Sequence, residues 1–130
     1  MELSTSYATT SRSGGRASEG SAQVREYLAF QVGKELYGVD ILRVQEIRGF
    51  ETPTRIAGAT EVVRGVLNLR GTIVPILDLR FSMGLPTDIG VGTVTIVMNL
   101  KQRTVGFVVD GVTDVVGLSP AQIQPAPELA

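Results

Sequence analysis

From Glu26 onward the hydrophobic positions recur every second residue. Leu28, Phe30 and Val32 alternate with Ala29 and Gln31, a turn follows at Gly33, Lys34 and Glu35, and Tyr37, Val39 and Ile41 alternate with Gly38 and Asp40. A period of two marks a strand with one face in a core, so this stretch predicts a β-hairpin. The pattern returns later in the chain. Val94, Ile96, Met98 and Leu100 alternate with Thr95 and Asn99, Lys101, Gln102 and Arg103 make a turn, and Val105, Phe107 and Val109 follow.

These two hairpins are one motif repeated 68 positions apart, with no gap. Leu28 corresponds to Ile96, Phe30 to Met98, Val32 to Leu100, Tyr37 to Val105, Gly38 to Gly106, Val39 to Phe107 and Ile41 to Val109. The match continues through Val44 with Val112, Glu46 with Asp114 and Ile47 with Val115. A fixed-offset duplication of a β-unit is a sharper signal than any single strand.

Between the copies, residues 63–79 predict two strands around a tight turn at Arg70 and Gly71, where Gly71 supplies the positive φ such turns need. Pro75 lacks the donor a ladder uses, which places its strand at an edge or at a bulge. Short helical turns are expected at Leu79 to Met83 and at Ser119 to Ile123, where Ser119 is an N-cap and Pro120 the first helical residue. The counterpart of Val63 would be position 131, so the second unit is expected to be cut off before its closing hairpin.

The first 24 residues contain six Ser, three Thr and three Gly. Such a segment has too little apolar surface to offset its ordering entropy, and is read as a disordered tail. The organisation expected is therefore a tail over 1–24 and one domain over 25–130, divided into a first barrel of about 25–90 and a second of about 91–130. Short strands, frequent turns and a tandem β-unit predict an all-β fold of two small barrels.

Composition narrows the chemistry. Of 130 residues, 43% are hydrophobic and 19% charged, as in a globular protein with a real core. The formal net charge is −1, so no overall field favours nucleic acid or an anionic membrane. Cys is absent, which removes disulfides and thiolate sites. With no His, and only Ser82 and Ser119 after the tail, no nucleophile has a base beside it. Asp110 and Asp114 read as turn-forming or solvated carboxylates. Gly90, Val91 and Gly92 precede a strand and lack a third Gly, so they form a loop and not a dinucleotide site. Six of the ten Arg residues lie between positions 43 and 80, interspersed with acids, which favours ion pairing within the fold over phosphate binding. The most apolar stretch, 62–79, is interrupted by Arg64, Asn68 and Arg70 and fails as a membrane span. No enzyme, cofactor or metal is expected. The opening residues hold no apolar run resembling a secretory signal, from which a cytoplasmic location is expected.

Two stretches carry a family resemblance: Tyr37-Gly38-Val39-Asp40-Ile41-Leu42-Arg43-Val44-Gln45-Glu46-Ile47, and Gly65-Val66-Leu67-Asn68-Leu69-Arg70-Gly71-Thr72-Ile73-Val74-Pro75-Ile76-Leu77-Asp78-Leu79. Both resemble the CheW family, as do residues 105–112 and 123–128. The resemblance implies two intertwined five-stranded SH3-like barrels, the second incomplete here, and function by contact alone. It also implies an adaptor joining the cytoplasmic tips of methyl-accepting chemotaxis receptors to the regulatory domain of the histidine kinase CheA. The protein would be recruited to membrane-anchored receptor arrays without inserting into the membrane. Within the same class stands a CheW-like module of a larger protein, such as CheV or CheA; outside it stands a small-ligand-binding β-barrel. Carried over by position, Val44 and Gly65 line a receptor groove, with Val44 open to a core reading and Gly65 to one of backbone geometry. Glu46 and Arg70 resemble a pair that joins the two stretches, either as a structural ion pair or at the partner interface.

Overall fold

The computed structural model describes residues 5–7 and 24–125. Among these residues ten strands follow one another: β1 (Thr5–Tyr7), β2 (Arg25–Val32), β3 (Glu35–Asp40), β4 (Val44–Gly49), β5 (Val63–Leu69), β6 (Thr72–Asp78), β7 (Val94–Leu100), β8 (Arg103–Val109), β9 (Gly111–Leu118) and β10 (Ile123–Pro125). One helical turn, α1 (Leu79–Ser82), follows β6, and 3-10 turns occupy Ile41–Arg43 and Pro120–Gln122. The strands form two five-stranded sheets, in the orders β10-β1-β3-β2-β9 and β4-β7-β8-β6-β5.

The all-β class expected from the alternation therefore stands, and the hydrogen-bonded ladders are open where closed barrels were expected. The second sheet still curls. Its two edge strands approach through side chains: Arg70 at the end of β5 donates to Glu46 of β4 at 3.0 Å, and the Arg64 guanidinium lies 5.6 Å from the Phe50 ring centre. Backbone bonding stops at this seam while side chains cross it.

The repeat explains the topology. β2, β3 and β4 correspond by the 68-residue offset to β7, β8 and β9, yet each unit gives its third strand to the other. β9 pairs with β2, placing Leu28 opposite Val115, and β4 pairs with β7, placing Ile96 opposite Ile47. These two pairs are images of one another under the offset. So are the bulges: β9 breaks register around Thr113 and β4 around Gln45, again 68 residues apart. The two units are thus interleaved, as the resemblance implies, because a hairpin with one hydrophobic face reaches a stable sheet by taking an edge strand from its twin.

The duplicated hydrophobic positions share one core. Leu28, Phe30, Val32, Tyr37 and Val39 of the first sheet pack with Ile96, Met98, Val105, Phe107 and Val109 of the second, and with Leu79 of α1. A smaller cluster, Leu69, Val74, Ile76, Val97 and Val108 with Phe50 and Leu67, fills the other face of the second sheet. Val97 and Val108 alternate with residues of the main core, as period two requires.

Some local expectations change. The Arg70–Gly71 loop has positive φ at both residues, 53° and 87°, as in a type I′ turn, and Asn68 accepts a hydrogen bond from the Gly71 amide. Pro75 lies in an interior strand and not at an edge; pairing of β6 with β8 starts only at Ile76, and the bulge belongs to the partner strand β5, between Val63 and Gly65. Ile41 leaves the strand for a 3-10 turn whose Asp40 cap accepts from the Leu42 amide. Within the segment read as a tail, Thr5–Tyr7 pairs with both β3 and β10, since backbone pairing needs a free edge and not apolar side chains. The rest of that segment, 1–4 and 8–23, lies outside the described residues, as do residues 126–130.

Because strands are exchanged, the two sheets are expected to unfold as one unit. Phe107→Ala, at a position 1% exposed in the shared core, should cost about 3–5 kcal/mol. Urea titration followed by far-UV circular dichroism and by tyrosine fluorescence should give coincident curves in wild type and variant. Separate midpoints for the two probes would show that the sheets fold independently.

Candidate protein-binding face

Val44 opens β4 directly after the 3-10 turn, half-buried against the main core and opposite Met98. Its core and surface readings both have support, because an edge position leaves part of the side chain outward. Two residues on, Glu46 receives Arg70 at 3.0 Å and has Arg48 at 3.6 Å. Arg48 in turn holds Glu51 at 2.9 Å, so an alternating chain of charges runs down β4. Ile47, between them, is 45% exposed. Hydrogen bonds to Glu51 outweigh partial burial and raise the Arg48 guanidinium further above its already high value.

Gly65 lies on the opposite edge strand, buried, with φ of 145°. The loop 51–62 returns along it: the Thr54 amide donates to the Val66 carbonyl and the Val66 amide to the Thr54 carbonyl, both at 2.9 Å. A Cβ on Gly65 would fall on the Thr54 carbonyl oxygen and come within 2.7 Å of its carbon. Position 65 therefore has a backbone that calls for glycine. Curling of the second sheet brings Glu46 and Arg70 into contact, while Val44 and Gly65 stand on its two edge strands.

Behind this face lies a cluster that the sequence reading did not anticipate. Arg80 is fully buried. Its Nε and Nη2 grip the two carboxylate oxygens of Asp78 at 2.9 Å each, and its Nη1 donates to Asp110 at 3.1 Å and to the Asp88 carbonyl at 2.8 Å. Arg64 donates from the other side to Asp78 at 2.8 Å. Asp110 also accepts from the Gly33 amide at 2.7 Å, which ties in the β2–β3 turn. Asp110 is thus a structural acceptor and not a solvated carboxylate. Asp114 is exposed, as expected. The alternation of Asp78, Leu79 and Arg80 after a strand was the available signal, since Asp78 caps α1 through the Arg80 amide.

Burial alone would raise the Asp78 carboxyl; the hydrogen bonds from Arg80 and Arg64 outweigh it and hold the group below its ordinary value of 3.8. The Arg80 guanidinium is raised, chiefly by its bonds to Asp78 against the cost of burial. Among the described residues no group of three or more carboxylates is placed to hold a metal ion. A cavity of about 250 Å³ between the 51–62 loop and α1 is lined by residues including Arg55, Glu61, Arg64 and Phe81. Within its lining, Arg64 and Asp78 are already paired with each other at 2.8 Å.

These features define an all-β protein whose buried charges are paired within its own architecture. Comparison with known proteins places it more closely. Residues 26–130 match the CheW-like domain. The chemotaxis protein CheW of Klebsiella aerogenes is 54% identical over 109 residues, covering 82% of this chain and 64% of that protein. The chemotaxis protein CheW of Rhizobium meliloti is 41% identical over 107 residues, covering 82% and 69%. The crystal structure of scaffolding protein TtCheW from Thermoanaerobacter tengcongensis superposes with a TM-score of 0.73 at 28% identity, covering 83% of this chain and 75% of that one. The chain belongs to the CheW-like domain family, and spans about two thirds of the length of these curated relatives.

Asp78 gives a pH signature. Its lowered folded value contributes stability that is complete above the unfolded value near 3.8 and is lost as pH falls through the folded value. Asp78→Asn should remove that acid limb and cost about 3–5 kcal/mol near neutral pH, because buried Arg80 loses its counter-charge. Urea titrations of both proteins between pH 3 and 7 read this directly; parallel pH profiles would show that Asp78 is not the titrating group.

Proposed function

We propose that this chain is an adaptor that couples methyl-accepting chemotaxis receptors to the histidine kinase CheA, acting by contact and not by catalysis. The observation that carries the reading is 54% identity, over most of the chain, to a protein named for chemotaxis. It acts in the cytoplasm, recruited to receptor arrays whose membrane anchors belong to the receptors. In support, no helix among the described residues is long and apolar enough to cross a membrane.

Receptor contact is assigned to the rim where β4 meets β5, around Val44 and Gly65, and kinase contact to the regulatory domain of CheA. Physical support comes from the rim itself. Val44 and Ile47 offer partly exposed apolar surface beside the Glu46–Arg70 pair, a combination of apolar anchor and charged border common at protein interfaces. A receptor helical hairpin laying an apolar stripe against this edge is the fitting partner geometry.

Co-sedimentation with receptor-bearing membranes, with and without CheA, while following phosphorylation of the response regulator, tests the assignment. Receptor-dependent kinase activation is expected. Val44→Asp should weaken membrane co-sedimentation at least about tenfold by placing a charge in the apolar rim. Normal binding by a folded Val44→Asp variant would remove that rim from the receptor site.

The Glu46–Arg70 pair separates two roles. At 24% and 64% side-chain exposure it should contribute less than about 1 kcal/mol to folding, so Glu46→Arg and Arg70→Glu singly should leave the protein folded. If the pair serves to clasp β4 to β5, the doubly reversed protein should recover the co-sedimentation that each single variant loses. Failure of the reversal to rescue would put one of these charges against the partner.

A further inference from the structure

We infer that Gly65 is a positioning residue: its missing side chain forms a notch that docks the 51–61 strap onto the outer edge of β5, and this docked strap holds the β4–β5 seam in its binding geometry. The second half of that statement rests on the adaptor reading; the first does not.

The notch is defined by backbone alone. Gly65 is buried at a break in the β5–β6 register and has a φ of 145°, a conformation L side chains rarely adopt. The atom nearest to where its Cβ would stand is the Thr54 carbonyl oxygen, with Arg55 Cα at 3.2 Å. That same oxygen accepts the Val66 amide. Any side chain at position 65 therefore competes for space with the acceptor of the bridge one residue away. Because the obstacle is backbone, a smaller residue at position 54 gives no relief.

Two bridge hydrogen bonds and buried Pro53 anchor the strap, while residues 54–61 are all exposed. The strap leaves β4 through Phe50, which packs with Leu67 and Leu69, and enters β5 at Val63. It spans the seam at the end where Arg64 lies against Phe50, and the Glu46–Arg70 pair closes the other end. No ladder bonds join β4 to β5. With only side-chain contacts across the seam, the docked strap is the backbone connection that fixes the two edges relative to one another. A change at Gly65 thus alters the partner-facing rim although glycine itself has nothing to offer a partner.

The test uses the free chain first. In Gly65→Ala, amide exchange at Thr54 and Val66 should quicken about tenfold or more as two hydrogen bonds are lost, with trypsin cleavage after exposed Arg55 accelerated in step, while the Ile76 and Phe107 amides stay protected. Unchanged exchange at Thr54 and Val66 would overturn the notch. Thr54→Pro provides a second route, since it removes the donor to Val66 while leaving Gly65 in place. It decides the matter if Gly65→Ala loses protection throughout. Thr54→Pro should show the faster Arg55 cleavage and also lose co-sedimentation with receptor-bearing membranes. If it is cleaved faster yet binds like wild type, the link from strap to rim is overturned. If wild type itself fails to co-sediment, the adaptor reading falls, and the exchange measurements alone decide the notch.

Discussion

Exchange of one strand between two copies of the same β-unit is the constraint on which the rest of this structure depends. A three-stranded meander with one apolar face is marginal alone, and its edge strands invite pairing. Here β4 and β9 cross over, so each hairpin completes its sheet with a strand from its twin. The symmetry extends to the bulges. An irregularity opposite Ala29 and Phe30 in one sheet recurs opposite Val97 and Met98 in the other. Exchange fixes the relative position of the sheets, because neither can move without tearing a ladder, and it directs the apolar faces of both hairpins into a single core.

A polar lock is set into this frame. Arg80, with no exposed surface, joins Asp78 at the end of β6 to Asp110 at the start of β9, and Asp110 reaches the turn between β2 and β3. The cluster therefore links both sheets through directional bonds that an apolar contact could not supply. Buried ion pairs contribute little net stability, since desolvation offsets most of the attraction, but losing one partner is costly. The physical value of such a cluster lies in geometry. Five donor bonds from one guanidinium and its neighbouring amide leave Asp78, α1 and the loop at 87–88 a single mutual arrangement.

Much of this was legible in the alternation of residues, and the limits of legibility are physical. Period two identified the strands and the 68-residue offset paired Leu28 with Ile96 and Phe30 with Met98, because side-chain alternation is a local property of an extended chain. The same alternation carries no record of which strand lies beside which, so the residues alone predict two barrels side by side, and the intertwining comes from the family resemblance. The missing donor of Pro75 predicts an edge or a bulge there, yet a strand that begins pairing on one side only after the proline tolerates it in the interior. Arg80 resembled its surface neighbours in composition. Its burial is decided by where α1 packs, of which the Asp78 cap before it is the one local sign. For the candidate face, family resemblance picked out Val44, Gly65, Glu46 and Arg70. Thr54 escaped notice because its part is played by the main chain, which every residue possesses.

Stability in this molecule is concentrated where strands are exchanged, and the junction that exchange does not reach is held by side chains and the docked strap. β7 and β8 lie at the centre of the second sheet, paired on both sides; β4 and β5 lie at its two ends and meet through side chains, Glu46 with Arg70 and Arg64 with Phe50 among them. Exposed ion pairs and a cation–π contact of this kind each supply on the order of 1 kcal/mol or less, against the several that each core aromatic supplies. A change that frees the strap therefore shifts this seam at less cost than any change in the core beneath it. An adaptor acting by contact gains from that division. On the adaptor reading, the paired sheets preserve the spacing between partners and the docked strap keeps the seam in the shape that receives them.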